Sequence, residues 1–429
     1  MSARRLLLSK TTKPKAGHLT NTDANDGSAP AALLLSAKAV RERCWQVFDA
    51  RAELEHFSVH LDRLEDAADY VIETTRQNYP SLDIPFHARW RHFTFAGVDR
   101  WQELAQTLTV DAEEMARIQF DLVIASVLLD AGAGADWCYL DKRTGKSFSR
   151  SEGLALASLD GFAAGLFSSS PGNNFQADAL ALSAIGRDDL GSAFQVTPQN
   201  PLVGLDGRVQ LMRSVGSNLT AHPEFFSAEA PRIGGLFDCI KRTYGQSIAA
   251  AELLEVVLTA FGGIWPGRLE IDGVNLGDTW GHPAVAGAGE TNGRVPFHKL
   301  SQWLTYSLIE PLQQAGIDVV LIDDLTGLAE YRNGGLFVDL GVLEVRDPTT
   351  LQVAHNPGDP LIVEWRALTI ALLDQLADLV RSKLGAKGEN LPLASILEGG
   401  TWAAGRRIAS KLRDDGSPPI RIISDGSVF

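Results

Sequence analysis

The chain has 429 residues, of which 45% are hydrophobic and 21% charged, and this composition is typical of a globular protein with a large core. Its 53 acidic and 39 basic side chains give a formal net charge of −14, which argues against a general nucleic-acid binder and against a protein of anionic membrane surfaces. A phosphorylated small substrate remains compatible with this charge, because a few clustered arginines bind a phosphate locally.

Cysteine usage and apolar run lengths indicate the compartment. The cysteines Cys44, Cys138 and Cys239 are odd in number and far apart, which is typical of a reducing compartment and matches no metal-binding spacing. No apolar run reaches the length of a membrane span, and Leu6–Leu8 is too short for the core of a signal peptide. We therefore expect a cytoplasmic protein without membrane association.

The first third of the chain predicts an arm followed by helices. Residues 1–29 are basic and then polar, which predicts a flexible arm ahead of one large helical domain over residues 30–429, built as one body or as two closely packed lobes. The segment Ile84–Phe95 contains His87 and Arg89 among several basic and aromatic residues. Two interpretations stay open for it: an anion or phosphate contact with an aromatic wall, or a surface strand or turn whose arginine stems lie along apolar surface.

A helix is predicted in Glu113–Gly134. Asp121 and Asp130 are nine residues apart, so they lie on roughly opposite faces of this helix unless it breaks at its terminal glycines. Asp130 is the favoured site residue, because it precedes the glycine-rich segment Ala131–Gly134. The alternative is a buried acid that caps the next backbone turn.

The segment Val295–Asp339 carries the densest polar pattern. Its first half has the spacing of an amphipathic helix, with Pro296 at the entrance and Gly316 at the exit. A short apolar run, Val319–Ile322, follows. The next thirteen residues hold three acids, an arginine, an amide, a phenol and three glycines, which predicts a loop that presents polar groups to a small ligand.

The last hundred residues predict two helices. Leu361–Leu384 has the pattern of one long helix, and Leu393–Leu412 is helical with an expected break at Gly399 and Gly400. The apolar chain end, which closes on Val428 and Phe429, predicts an ordered terminus.

Dinucleotide, Walker, zinc-protease, CxxC and nucleophile-elbow motifs are absent. Because helical patterns dominate and candidate strands are few and short, we expect a mainly α fold.

Several long segments resemble a known family, the fourth protein of a uracil catabolism pathway of fungi and bacteria that opens the pyrimidine ring and passes through ribosylurea. The family is catalogued as a domain of unknown function. The resemblance extends from about Ala31 to Phe429. It implies a role near the release of urea and ribose. The segments that carry it are Ser126–Gly134, Arg150–Ala155, Pro296–Leu308, Leu325–Leu336, Val363–Leu368, Leu397–Arg406 and Ser424–Phe429.

A shorter likeness concerns the queuosine salvage proteins, which cleave an N-glycosidic bond on a helical fold related to DNA glycosylases. LTGLAEYRNGGL is similar to the ADYR-type segment of that family, and Phe120–Leu129 is similar to one of its helices. The catalytic aspartate of the ADYR segment corresponds to Glu330 here, followed by Tyr331 and Arg332. The glutamate departs from the family pattern by one methylene.

These resemblances imply an N-glycosidase without a cofactor, acting on ribosylurea or its 5-phosphate. A carboxylate stabilises the developing sugar cation and deprotonates water, and this role is predicted for Glu330. The alternative for Glu330 is a plain salt bridge to Arg332. Asp324 or Asp130 is expected to orient the ribose hydroxyls or to protonate urea. Arg332, Arg406 and Arg89 are the candidate phosphate ligands, with Trp402 and Trp303 as walls; for Trp303 the favoured alternative is a core residue on its helix. The remaining predicted substrate contacts are Tyr331, Asn333, His298 and His87.

Two other hypotheses stay open. One is a metal-dependent hydrolase of the urea or amide group, with His298, Asp324, Glu330 or the pair His87 and His92 as ligands. The other is a non-catalytic protein that binds the intermediate or a pathway enzyme. The sequence does not indicate the oligomeric state.

Overall fold

The structure is a computed structural model that describes residues 29–265 and 268–423. The fold is mainly α-helical, as predicted. The proposed N-terminal arm, apart from Ala29, and the apolar chain end beyond residue 423 lie outside the described residues. Within the described ranges, no helix combines the length and the apolar character needed to cross a bilayer.

Helices form most of the described chain. In chain order they are α1 (Ala29–Leu34), α2 (Ala37–Asp49), α3 (Leu64–Asn78), α4 (Arg100–Ala105), α5 (Ala112–Leu128), α6 (Arg150–Ala163), α7 (Ala179–Ala184), α8 (Arg187–Ala193), α9 (Leu205–Ala221), α10 (Pro223–Phe226), α11 (Gly235–Tyr244), α12 (Ala250–Ala260), α13 (Lys299–Gln314), α14 (Tyr331–Asp339), α15 (Pro360–Leu384), α16 (Leu393–Ile396) and α17 (Trp402–Leu412).

The strands are short and pair only in twos among the described residues. Five pairs are antiparallel: β1 (Phe57–Val59) with β12 (Leu343–Val345), β2 (Thr94–Phe95) with β3 (Val98–Asp99), β4 (Tyr139–Asp141) with β5 (Lys146–Phe148), β7 (Glu270–Ile271) with β8 (Val274–Asn275), and β9 (Thr279–Gly281) with β10 (Arg294–Pro296). Two are parallel: β6 (Ser247–Ala249) with β11 (Asp318–Val320), and β13 (Ala354–His355) with β14 (Arg421–Ile422).

The core is built around α15. Every residue from Leu361 to Leu373 is buried, so this helix is enclosed on all sides over more than three turns. It packs against α2, α3 and α14, while α13 packs against α5 and α12. One continuous hydrophobic cluster extends through these helices, and it fixes the positions of the helix ends that meet at the site described below.

Small residues let α14 lie close to its neighbours. A side chain at Gly405 of α17 would collide with the backbone carbonyl of Arg332, and one at Gly334 would come within 2.7 Å of the Trp365 ring on α15. The predicted break at Gly399 and Gly400 is a π-helical turn, Leu397–Thr401, between α16 and α17. These close approaches set where the first turn of α14 lies.

Two local predictions were wrong in this region. Pro296 belongs to β10, and α13 begins only at Lys299. The polar segment predicted as a loop is helical from Tyr331 onward, because the carboxylate of Glu330 caps the backbone there.

We predict that Gly405→Ala lowers the free energy of unfolding by roughly 1–3 kcal/mol, since the methyl group forces α17 away from the Arg332 carbonyl. The measurement is urea denaturation. Gly262→Ala is the matched control, because Gly262 has helical backbone and open space around its Cβ position. Equal midpoints for the two variants would contradict the proposed contact.

Candidate functional site

A cavity of about 480 Å³ lies where several helices begin or end. Its wall includes the start of α14, the start of α13, the start of α6 and the segment that follows α5. This volume is in the range of small-molecule sites. The charged residues that line it are Asp130, Arg150, Lys299, Glu330, Arg332, Asp415 and Arg421.

Glu330 is both the N-cap of α14 and part of the cavity wall. Its Oε2 accepts the N–H of Arg332 at 2.7 Å, and its Oε1 accepts the N–H of Asn333 at 2.6 Å. Only 8% of the residue is exposed. Burial raises the pKa of Glu330, against the opposing effects of the Arg332 N–H and of the Lys299 charge. Because each carboxylate oxygen has two lone pairs, one on each oxygen remains for a ligand.

Asp130 supplies a second carboxylate to the same cavity. Its Oδ2 accepts a hydrogen bond from Nη1 of Arg89 at 2.8 Å, in an ion pair that is almost fully buried. Its Oδ1 has no hydrogen bond within the described residues. Arg89 also donates to the Ser126 hydroxyl at 2.7 Å and to the Ser151 carbonyl at 3.3 Å. The arginine therefore fixes the orientation of Asp130 from behind the cavity wall.

Lys299 is the first residue of α13, and it faces the cavity. The residue before it, His298, has a left-handed backbone with φ of 47°. Nε2 of His298 lies 2.9 Å from the Leu34 carbonyl, and Asp278 accepts the N–H of Lys299 at 3.1 Å. Asp278 is held in turn by Arg366 through bonds of 2.8 and 2.7 Å. These contacts hold the backbone at the start of α13.

Four rings form a cluster beside the carboxylates: His87, His92, Trp303 and Trp402. The His92 centroid lies 5.7 Å from the centroids of both tryptophans, and His87 stacks on Trp303 at 6.2 Å. His87, His92 and Trp402 also line a second cavity of about 430 Å³. The ring cluster therefore separates two spaces.

Several buried polar atoms at this site have no hydrogen-bond partner in the described chain. They are Nε1 of Trp303, Nδ1 of His92 and Nη2 of Arg89. Buried polar atoms in folded proteins are generally paired with protein, water or ligand. Trp303 and His92 line the cavity, so these two atoms are candidate partners of a bound polar molecule.

The structure brings many of the predicted site residues together. Those that line the main cavity are His87, Asp130, Trp303, Glu330, Tyr331, Arg332 and Trp402. Arg89 lies behind Asp130. Because Arg89 is fully buried, the surface interpretation of its segment was wrong for this residue.

Four predicted residues lie elsewhere. Asn333 is buried beneath the wall, where its amide donates to the Leu328 carbonyl and accepts from the Thr401 hydroxyl. His298 points to Leu34. Asp324 is exposed in the turn Ile322–Asp324, because this turn follows strand β11, which ends on the surface at Val320. Arg406 lines the second cavity and pairs with Glu152.

Sequence reasoning missed Lys299, Arg150 and Arg421. The signal for Lys299 was its spacing: it lies four residues before Trp303, so both project from the same buried face of α13. Arg150 and Arg421 carried no comparable signal, because each reaches the cavity through tertiary contacts of distant segments.

Metal ligation was one of the open hypotheses. Over residues 29–265 and 268–423, no three side chains of His, Cys, Asp and Glu come together in a group that fits a metal ion. Of its candidate ligands, His87, His92 and Glu330 line the main cavity, and His298 and Asp324 do not.

Known proteins with the same sequence pattern identify the family. Residues 33–429 match a family described as a protein of unknown function, DUF1688. The chain is 40% identical to "Protein urg3" of Schizosaccharomyces pombe over 410 residues, which cover 93% of this chain and 98% of that protein. The chain belongs to the DUF1688 family. It is also 38% identical to "Uracil catabolism protein 4" of Lachancea kluyveri over 438 residues, covering 93% of this chain and 99% of that one. The family predicted from the segments is thus confirmed.

The segments that resembled this family surround the site in the DUF1688 structure. Asp130 and Ser151 come from the first two, Lys299 and Trp303 from the third, and Glu330 from the fourth. Val363–Leu368 lies in the central helix α15. Segments far apart in sequence thus meet at one cavity and at the helix that supports it.

We predict that His92 makes the stability of this DUF1688 protein depend on pH. Burial, with the nearby Arg89 charge, lowers the pKa of His92 to about 4. Between pH 6.5 and 4 the unfolded chain binds a proton at His92 that the folded chain does not, so stability is lost as pH falls, at up to about 1.4 kcal/mol per pH unit. Urea denaturation of wild type and His92→Phe at pH 7 and pH 5 measures this loss.

The wild type should lose roughly 2 kcal/mol more than His92→Phe between those two pH values. All other titrating groups are shared by the two proteins, so their contributions cancel in the difference. The same pH dependence in both proteins would contradict the neutral state of the half-buried His92.

Proposed function

We propose that this protein hydrolyses the N-glycosidic bond of ribosylurea or its 5-phosphate, releasing urea and ribose or ribose 5-phosphate, within uracil catabolism. The observation that carries the proposal is that Glu330 and Asp130 line the same cavity, each fixed by its own hydrogen bonds. The name of the Lachancea kluyveri relative supports the pathway.

Cleavage of a ribose C1–N bond needs three contributions. Positive charge that develops at C1 must be stabilised, a water must lose a proton, and urea must leave. We assign Glu330 to the first two, because its fixed carboxylate has free lone pairs and its raised pKa favours proton acceptance. We assign Asp130 to the ribose hydroxyls, because its Oδ1 is available as an acceptor.

The rest of the cavity supports a polar substrate of this size. Trp303 and Trp402 offer flat apolar surfaces, and the unpaired Nε1 of Trp303 is a donor without an acceptor in the described chain. Arg150 and Arg332 also line the cavity, and they are the candidate ligands of a 5-phosphate. Arg406 is not among them, since it pairs with Glu152 at the second cavity.

We predict that Glu330→Gln lowers kcat for urea release by at least about 100-fold, the usual contribution of a general base. The amide oxygen of the glutamine still accepts a backbone N–H at the start of α14, so the fold should be retained. The assay incubates purified protein with ribosylurea and, separately, with its 5-phosphate, and quantifies urea. Thermal unfolding of each variant verifies that it is folded.

Asp324→Asn is the matched control, because Asp324 is a carboxylate of the same polar segment that lies outside the cavity. It should keep the wild-type rate. Wild-type urea release by folded Glu330→Gln would remove Glu330 from the mechanism. Binding of ribosylurea by the wild type without any turnover would contradict the enzymatic function and favour a non-catalytic binding protein.

A further inference from the structure

The start of α13 places a lysine where a lysine is electrostatically unfavourable. The first turn of a helix carries partial positive charge, so a cation at its first position is destabilised. Lys299 occupies that position and is half-buried. Its Nζ has no hydrogen bond or ion pair within 4 Å among the described residues.

The surroundings of Lys299 are those of the cavity and not of a surface. Its Nζ lies 5.9 Å from the centroid of the Trp303 ring. Among the carboxylates, Glu330 and Asp130 act on its charge more strongly than Asp278 does, and both line the same space. The ammonium group therefore shares the cavity with the two carboxylates and forms an ion pair with neither.

The backbone before Lys299 is built to hold it there. His298 adopts a left-handed conformation that costs a residue with a Cβ roughly 1–3 kcal/mol, and such strain persists only where neighbouring contacts enforce it. Two contacts do so: His298 with the Leu34 carbonyl, and Asp278 with the N–H of Lys299. A lysine with only a structural role would require neither a strained residue before it nor an ammonium group without a partner.

We propose that Lys299 is the acid that protonates urea as it leaves, an assignment that rests on the proposed glycosidase function. The C1–N bond breaks, its electron pair goes to the urea nitrogen, and a proton of the Lys299 ammonium goes to that nitrogen. Water adds to C1, and its proton goes to Glu330. The proton on Glu330 then returns to Lys299 through the cavity, so the net reaction consumes one water and yields urea and the free sugar.

The charge state of Lys299 suits this role. Burial lowers the pKa of Lys299, against the opposing charges of Glu330 and Asp130. A lower pKa makes the ammonium a stronger acid than an exposed lysine, and urea is a poor leaving group that needs such a donor.

The test compares Lys299→Met and Lys299→Arg with wild type, using ribosylurea or its 5-phosphate, whichever the wild type hydrolyses. Met removes the proton donor, and Arg keeps the positive charge but is too weak an acid to release a proton. We expect kcat to fall at least about 100-fold in both variants. Lys383→Met is the control, because Lys383 pairs with Asp69 away from the cavity, and it should leave kcat unchanged.

Two further readouts separate an acid from a merely structural residue. The wild-type kcat should decline on the alkaline side as Lys299 loses its proton, and Lys299→Met should lack this decline. Thermal unfolding of Lys299→Met should be unchanged or occur at higher temperature, since the variant removes an unpaired charge from a positive helix end.

The outcomes keep the two proposals distinct. No urea release by the wild type would overturn the glycosidase function and this inference with it. A wild type that releases urea, together with Lys299→Met at the wild-type rate, would overturn the role of Lys299 alone. So would a Lys299→Arg variant with the wild-type rate, or an alkaline decline that persists in Lys299→Met.

Discussion

The capping of α14 by Glu330 is the interaction on which the site depends. Two backbone N–H groups hold the carboxylate in place, so the side chain proposed for catalysis is fixed by the helix that it begins. Gly405 and Gly334 bring α17 and α15 against α14, and the position of Glu330 follows from that packing. A carboxylate held this way needs no reorganisation when positive charge develops nearby.

Several features of the site are unfavourable for folding, and the packing of the surrounding core offsets their cost in free energy. Lys299 is unpaired at the positive end of a helix, His298 and Arg150 have left-handed backbones, and the Trp303 indole N–H lacks a partner in the described chain. Each feature is unfavourable for folding alone. All of them lie at the cavity or beside it, whereas α15 behind the cavity is enclosed by apolar contacts. This division between a well-packed support and a strained site is typical of proteins that bind and transform a ligand.

Much of the fold and part of the site could be predicted from sequence. Helical spacing located α13 and α15, and paired glycines located the π-helical turn before Trp402. Asp130 was favoured from the glycines that follow it. The helix start at Tyr331 could not be recognised, because Glu is an unusual N-cap and the next residues include Asn333 and Gly334, which are poor helix formers.

Tertiary contacts set the orientations of the remaining candidate site residues. Asp130 is oriented by Arg89, which lies 41 residues earlier, and no local pattern reveals such a pair. Asp324 and His298 are close in sequence to cavity residues, but a turn and a left-handed backbone direct them elsewhere.

The central claim is that the protein breaks the bond between ribose C1 and nitrogen and leaves the urea group intact. The most direct measurement is ¹³C NMR of ribosylurea, or its 5-phosphate, labelled at the urea carbonyl and incubated with the purified protein. We predict that the label appears in urea, together with one equivalent of free ribose or ribose 5-phosphate. Label in bicarbonate or carbamate, with the sugar still bonded to nitrogen, would contradict it.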